Sequence, residues 1–165
     1  MVKKPLVIGI KPDIAGAMGL LWWDQSISVE DLPTITTLSE SGAERPKVLS
    51  IRTFSGWMEN LKVRNDIFAF LEKDDPLETQ NQFAAGMTRG SLLAIFDNLR
   101  IPASYVASHD WRCKYNLLDA SPYKVVETAK QMFFDMSENL TSETNEYYRA
   151  ISLLVAACGK DTLNI

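Results

Sequence analysis

The sequence has few of the residues that most readily build metal and redox sites: two cysteines and one histidine in 165 residues. Cys113 and Cys158 stand far apart and outside any Cys-x-x-Cys spacing, and His109 alone cannot complete a tetrahedral zinc set. Both thiols are expected to be reduced and buried. Glycine and proline are also sparse, at eight and seven, and no three-residue period links them, which excludes a collagen-like chain. Aromatic residues at 10% argue against disorder. Every apolar run breaks well short of the roughly 20 residues that a membrane-spanning helix needs, so no membrane association is expected. The run behind Lys3 and Lys4 extends only from Leu6 to Ile10 before Lys11-Pro12-Asp13 ends it, too short for a secretory signal core. The expectation is an intracellular protein, in the cytoplasm, the nucleoid or an organelle. Also missing is any excess of positive charge. The 17 Lys and Arg against 21 Asp and Glu give −4, the wrong sign for a protein that coats nucleic acid with one broad basic face.

What remains is an ordinary globular chain, 46% hydrophobic and 23% charged, with no internal repeat or long linker, read as a single domain over 1–165. Its charge is uneven: residues 1–83 and 134–165 are each net −3, and residues 84–133 are net +2. A polyanion would be expected to meet the middle third. Leu6–Ile10, apolar without alternation, suits a central strand buried on both faces. The run Ala17–Trp23, reached through a turn ending at Gly16, completes a hairpin. A third strand is expected at Lys47–Arg52 after a solvated loop, a helix through Phe54, Trp57, Met58 and Leu61, and a fourth strand at Ile67–Glu72. Phe83, Met87, Leu92, Ile95, Phe96 and Leu99 trace a helix in which Gly86 and Gly90 are expected to serve packing. A fifth strand follows at Ala103–Val106. Ser121-Pro122 opens a helix carrying Val125, Val126, Ala129, Met132 and Phe133 on one face. A last helix is expected to start after Thr141 or Ser142, to bury Tyr147, Ala150, Ile151, Leu154, Val155 and Cys158, and to stop at Gly159. Strands first and helices later suit an α/β fold with a mixed five-stranded sheet and helices on both faces.

Four segments, in this order, carry a resemblance. Val7–Ala17 resembles the opening of RuvC-type Holliday-junction resolvases, and Phe70-Leu71-Glu72-Lys73 resembles their fourth-strand motif ending in a catalytic Glu. Gly86–Leu93 resembles their Gly-x-x-Arg-Gly helix. Arg149–Gly159 is similar to their final helix, closest to the plant organellar branch named after the monokaryotic-chloroplast phenotype. The resemblance implies an RNase H-like fold and a homodimer that nicks four-way DNA junctions using acids gathered around two Mg²⁺ ions. Hard Mg²⁺ requires such oxygen ligands, and two ions stabilise both the attacking and the leaving oxygen of a phosphodiester.

Against that pattern the site is degenerate. The first ligand position falls on Lys11, whose ammonium cannot coordinate Mg²⁺, and the last-helix acid falls on Ile151, on an apolar stripe. Glu72 is kept; Glu146, five residues before Ile151, is a remnant, and Glu143 lies farther still. The expectation is that Lys11 pairs with Glu72 and takes the place of metal charge. The loop that should enter a junction reads Lys73-Asp74-Asp75-Pro76-Leu77-Glu78, which phosphates would repel. Candidate DNA contacts remain at Arg89, Arg112, Lys114, Lys124 and Lys130. His109 with Asp110 is read as a loop or helix-cap pair, and Trp22-Trp23 and Tyr147-Tyr148 as packing aromatics. Three functions are open at this point. One is a non-cleaving RuvC-like protein that binds branched DNA or serves as a subunit of a larger assembly, with no cofactor. Another is an active Mg²⁺-dependent junction endonuclease with a one-metal site built on Glu72, Glu146 and Asp13. The third is a regulatory partner that dimerises with an intact resolvase.

Overall fold

The computed structural model describes residues 2–36, 42, 47–73, 82–136, 138, 140 and 145–163. Its centre is the uninterrupted apolar run identified above, now strand β1 (Lys4–Lys11). It pairs antiparallel with β2 (Ala17–Trp22), which pairs antiparallel with β3 (Ile27–Asp31). After a separate short ladder of β4 (Thr34–Ile35) and β5 (Val48–Leu49) come helix α1 (Ile51–Arg64) and β6 (Asn65–Lys73). Helix α2 (Gln82–Asn98), β7 (Ala103–Ala107), α3 (Ser108–Lys114), α4 (Pro122–Met132) and α5 (Glu146–Lys160) complete the order. The main sheet runs β3-β2-β1-β6-β7, with β1, β6 and β7 parallel. This is the expected mixed five-stranded α/β sheet, and β1 lies at its middle.

Side-chain alternation divides the sheet between two cores. Leu6, Ile8 and Ile10 of β1, with Ile67, Ala69 and Leu71 of β6, pack under α1 and α2 beside Phe54, Met58, Leu92 and Phe96. Val7 and Phe70 turn the other way, toward Trp111 of α3, Val125 of α4 and Leu154 of α5. Helix α5 lies almost in contact with the strands because β1 and β2 offer glycine there. A Cβ on Gly9 would fall 2.2 Å from the Ser152 carbonyl oxygen, and one on Gly19 2.9 Å from Leu153. Ser121 caps α4 as expected, its Oγ accepting from the Lys124 N–H at 3.4 Å. No helix among the described residues is long and apolar enough to cross a membrane.

Several local expectations change. Only Val48–Leu49 of the third strand is extended; Ile51 and Arg52 open α1, because Ser50 accepts the first helical bond from Phe54 and the apolar positions beyond repeat at helical spacing. The third strand of the main sheet is instead Ile27–Asp31, within the stretch expected to be a solvated loop. There Ile27 and Val29 face the α5 core while Glu30 is exposed, the half-polar alternation of an edge strand. Helix α5 ends at Lys160, one residue beyond the expected stop at Gly159, and the glycine there is required because a Cβ would strike the Phe70 ring at 2.2 Å. Gly86 and Gly90 are exposed, and a Cβ on either meets nothing within 4 Å among the described residues, so neither serves packing here. Phe83, Met87 and Met132 lie at the surface, Tyr147 and Cys158 are half-buried, and Cys113 is exposed rather than buried. Residues 74–78 of the acidic loop, the expected helix start at Thr141 or Ser142, and Glu143 lie outside the described residues.

Candidate functional site

The carboxyl ends of β1 and β6 are neighbours. Ile10 pairs with Leu71, so one step further along brings Lys11 beside Glu72. Both residues follow the alternation of Val7 and Phe70 and so point to the α5 side of the sheet. Pro12, which has no N–H to donate, ends β1, and the Asp13 amide turns back onto the Lys11 carbonyl at 3.0 Å. Lys11 Nζ stands 2.8 Å from Glu72 Oε2, and its side chain is 9% exposed and that of Glu72 1%. The other carboxylate oxygen, Oε1, accepts from Ser108 Oγ and from Trp111 Nε1, both at 2.8 Å. Ser108 and Trp111 are buried and stand three apart on α3, the spacing that puts two side chains on one helix face. The Tyr148 ring lies 5.9 Å from Lys11 Nζ, a cation facing an aromatic of α5. Ile151 is 1% exposed and belongs to the α5 core.

The expected pairing of Lys11 with Glu72 is therefore present, with two donors added that the sequence reading passed over. Neighbouring His109 and Asp110 are exposed, and the buried pair of that helix turn is Ser108 with Trp111. Their i, i+3 spacing was the available signal. Two divalent cations do not fit this arrangement. The site presents an ammonium, a carboxylate engaged at both oxygens, and an aliphatic side chain where the resemblance implies ligands. Among the described residues no three His, Cys, Asp or Glu side chains are grouped so as to hold a metal ion. Asp13 accepts from the Ile14 amide at 2.6 Å within its own turn, and Glu146 is half-buried at the first position of α5.

A second polar cluster, not anticipated from the sequence, anchors the start of α5 to the sheet edge. Arg149 holds Asp31 at the end of β3 through Nε and Nη2, both at 2.8 Å, and Asn145 donates to the same carboxylate at 2.8 Å. The Arg149 hydrogen bonds lower the Asp31 pKa below the ordinary carboxylate value, and the carboxylate in turn raises that of Arg149. The two residues lie 118 positions apart in the chain, so only the fold joins them.

The candidate DNA contacts do not form one surface. Arg89 is on α2, on the opposite side of the sheet from Lys124 and Lys130 of α4. Arg112 donates to the Tyr147 hydroxyl at 2.9 Å and lies 4.7 Å from the Trp111 ring. Lys114 pairs with Asp161, and Lys130 stands 3.8 Å from Glu127. Lys124 is exposed at the start of α4. Trp22 packs against the α1 core, whereas Trp23 is 55% exposed under the Lys4 ammonium; Tyr147 and Tyr148 are half-buried with ring centroids 5.8 Å apart.

No protein-family model and no curated protein matches the sequence. Solved structures do. The Thermus thermophilus RuvC structure superposes with a TM-score of 0.56 at 14% identity, covering 95% of this chain and 96% of that one. The T. thermophilus RuvC in complex with Holliday junction substrate gives the same TM-score at 13% identity, over 93% and 91%. The superpositions, with near-complete mutual coverage, show that this chain, with its mixed five-stranded sheet, has the RNase H-like α/β fold of RuvC.

Proposed function

We propose that this chain is a RuvC-like protein that binds branched DNA without cutting it, the catalytic centre of its fold having been replaced by a buried ion pair. The observation that carries the reading is the Lys11–Glu72 contact at 2.8 Å, with the second Glu72 oxygen taken by Ser108 and Trp111. An ammonium beside a carboxylate supplies the counter-charge a metal would otherwise supply, and it repels any cation approaching the same oxygens. Support for branched DNA comes from the fold and from the RuvC neighbour solved with a Holliday junction substrate. The final helix, Arg149–Gly159, supports placing the chain near the plant organellar branch. We take the working unit to be a homodimer or a subunit of a larger assembly, to be tested by sizing in solution. No observation favours the one-metal nuclease, since Glu72 is engaged and Asp13 is committed to its turn.

The deciding experiment is a gel shift of a four-way junction against duplex, with and without Mg²⁺, with the products run under denaturing conditions. A junction shift that does not need Mg²⁺, without nicked strands, is expected. Nicked products, or tight two-site Mg²⁺ uptake by calorimetry, would overturn the reading. The double variant Lys11→Asp with Ile151→Glu returns acids to both lost positions, and gain of Mg²⁺-dependent nicking is its expected outcome.

A further inference from the structure

The cations named in the sequence as DNA contacts are mostly engaged, but the fold gathers a different set at the opposite end of the sheet. Lys3 and Lys4 precede and open β1, and Lys4 pairs in register with Asn65, directly after Arg64 at the end of α1. Lys3 Nζ donates to the Lys62 carbonyl at 2.7 Å, and Lys62 Nζ donates to the Leu99 carbonyl, next to Arg100. Three distant stretches of chain thus bring Lys3 and Lys4, Lys62 and Arg64, and Arg100 to one edge, that of the β1 and β6 starts, away from the Lys11–Glu72 end. None of the five forms an ion pair with a carboxylate among the described residues, unlike Lys11, Lys114, Lys130 and Arg149.

Part of this cationic edge has a structural explanation. Helices α1 and α2 end there, and Lys3 and Lys62 satisfy carbonyls that helix ends leave open. Arg64, in the last turn of α1, also complements that helix end, whereas Lys4 and Arg100 lie outside the helices; all three are exposed. The acids near this end are Asp24, whose carboxylate accepts from the Ser26 amide and hydroxyl, the exposed Asp97, the exposed Glu59 one turn before Lys62 on α1, and Asp66. Asp66 follows the alternation of Phe68 onto the α5 face, the other side from α1. Trp23, at the end of β2, lies 4.2 Å below the Lys4 ammonium with its ring largely open to solvent. From the end of β2 across β1 and β6 to the approach to β7 is three strand spacings, or about 15 Å. One strand of a DNA duplex carries a phosphate per roughly 3.4 Å of axis, so such a stripe spans about four phosphates.

We propose that this edge, with Lys4, Arg64 and Arg100 as phosphate contacts and Trp23 as a stacking face at its end, is a nucleic-acid-binding surface separate from the Lys11–Glu72 end. It builds on the proposed DNA-binding function and locates the contact. The aromatic at one end suits a strand whose bases are unstacked, as at a branch point or a single-stranded arm. Each lost phosphate contact should lower the slope of log K against log salt by about 0.9 for duplex and 0.7 for single strands.

The test is the salt dependence of binding of the full chain to a four-way junction, a duplex and a single strand. The variants are Lys4→Gln/Arg64→Gln/Arg100→Gln, the charge-conserving Lys4→Arg/Arg64→Lys/Arg100→Lys, and Lys124→Gln/Lys130→Gln on the opposite face. Circular dichroism and melting confirm that each is folded. The neutral triple should reduce the slope by about 2–3 and the affinity at least tenfold, the charge-conserving triple should keep both, and the α4 pair should change little. Junction binding with an unchanged slope in the neutral triple overturns the edge and leaves the proposed function standing. Equal binding of duplex, single strand and junction through the edge upholds the edge and overturns branch recognition. No binding of wild-type protein to any of the three at low salt overturns both.

Discussion

Replacing Lys11 with Met should be among the most damaging single changes in this protein, although Lys11 lies at no hydrophobic contact that Met could not approximate. The reason is the partner left behind. At 2.8 Å and an effective dielectric of about 20, the gross attraction between the two charges is about 6 kcal/mol, and it offsets the cost of removing both from water. Without the ammonium, Glu72 stays buried at 1% exposure, with Ser108 and Trp111 on one oxygen and the Lys11 charge gone from the other. Breaking such a pair from one side costs about 3–5 kcal/mol, which for a chain of this size lowers Tm by roughly 6–20 °C. Adding Glu72→Gln removes the stranded charge while keeping an oxygen that can accept from Ser108 and Trp111. The double variant should recover most of the loss and lie within about 2 kcal/mol of wild type. Urea unfolding of the wild type, both single variants and the double variant gives the coupling directly. A Lys11→Met cost below about 1 kcal/mol, or a double variant no better than Lys11→Met, would refute the argument that this pair is buried and mutually dependent.

Other consequences of the fold can be checked separately. Gly9→Ala puts a methyl within 2.3 Å of the α5 backbone at Ala156, so α5 must move off β1; a loss of about 3 kcal/mol is expected by urea denaturation, against a gain of about 0.5–1 kcal/mol for Gly86→Ala, exposed within α2 where the space is open. The Asp31 pKa is lowered on folding, so its contribution is complete above the ordinary carboxylate value near 4 and is lost as pH falls through the lower folded value. Asp31→Asn should accordingly flatten the acid limb of a plot of urea midpoint against pH, and 1 M salt should shrink the difference because this carboxylate is 46% exposed. Of the two thiols, exposed Cys113 should react first with a disulfide reagent at pH 8, with Cys158 lagging because it is half-buried and burial raises its pKa. Equal rates would contradict that placement.

Much of the scaffold was readable from local pattern. The unbroken apolar run of β1, the Ser121-Pro122 start of α4 and the i, i+4 repeats of α1 and α5 each state their element and buried face within a few residues. The edge strand Ile27–Asp31 was not readable, because half its side chains are polar and its partner β2 supplies the order it needs. Gly159 marked the helix end to within one residue, but the Phe70 ring, from a strand 89 residues earlier, gave a different reason for having no side chain there.

The same division holds for the sites. That a lysine stands at position 11 and an isoleucine at position 151, where the RuvC resemblance implies acids, is read from residue identity alone. That Lys11 meets Glu72, that Ser108 and Trp111 close the other oxygen, and that Asp31 holds Arg149 were decided only by the tertiary structure. So was the gathering of Lys3, Lys4, Lys62, Arg64 and Arg100 at one edge: by sequence the first four lie in a segment of net −3, and charge counted along a chain does not show which cations parallel strands will bring side by side. Electrostatic interaction depends on distance in space and on burial, and both are set by sheet order and helix packing.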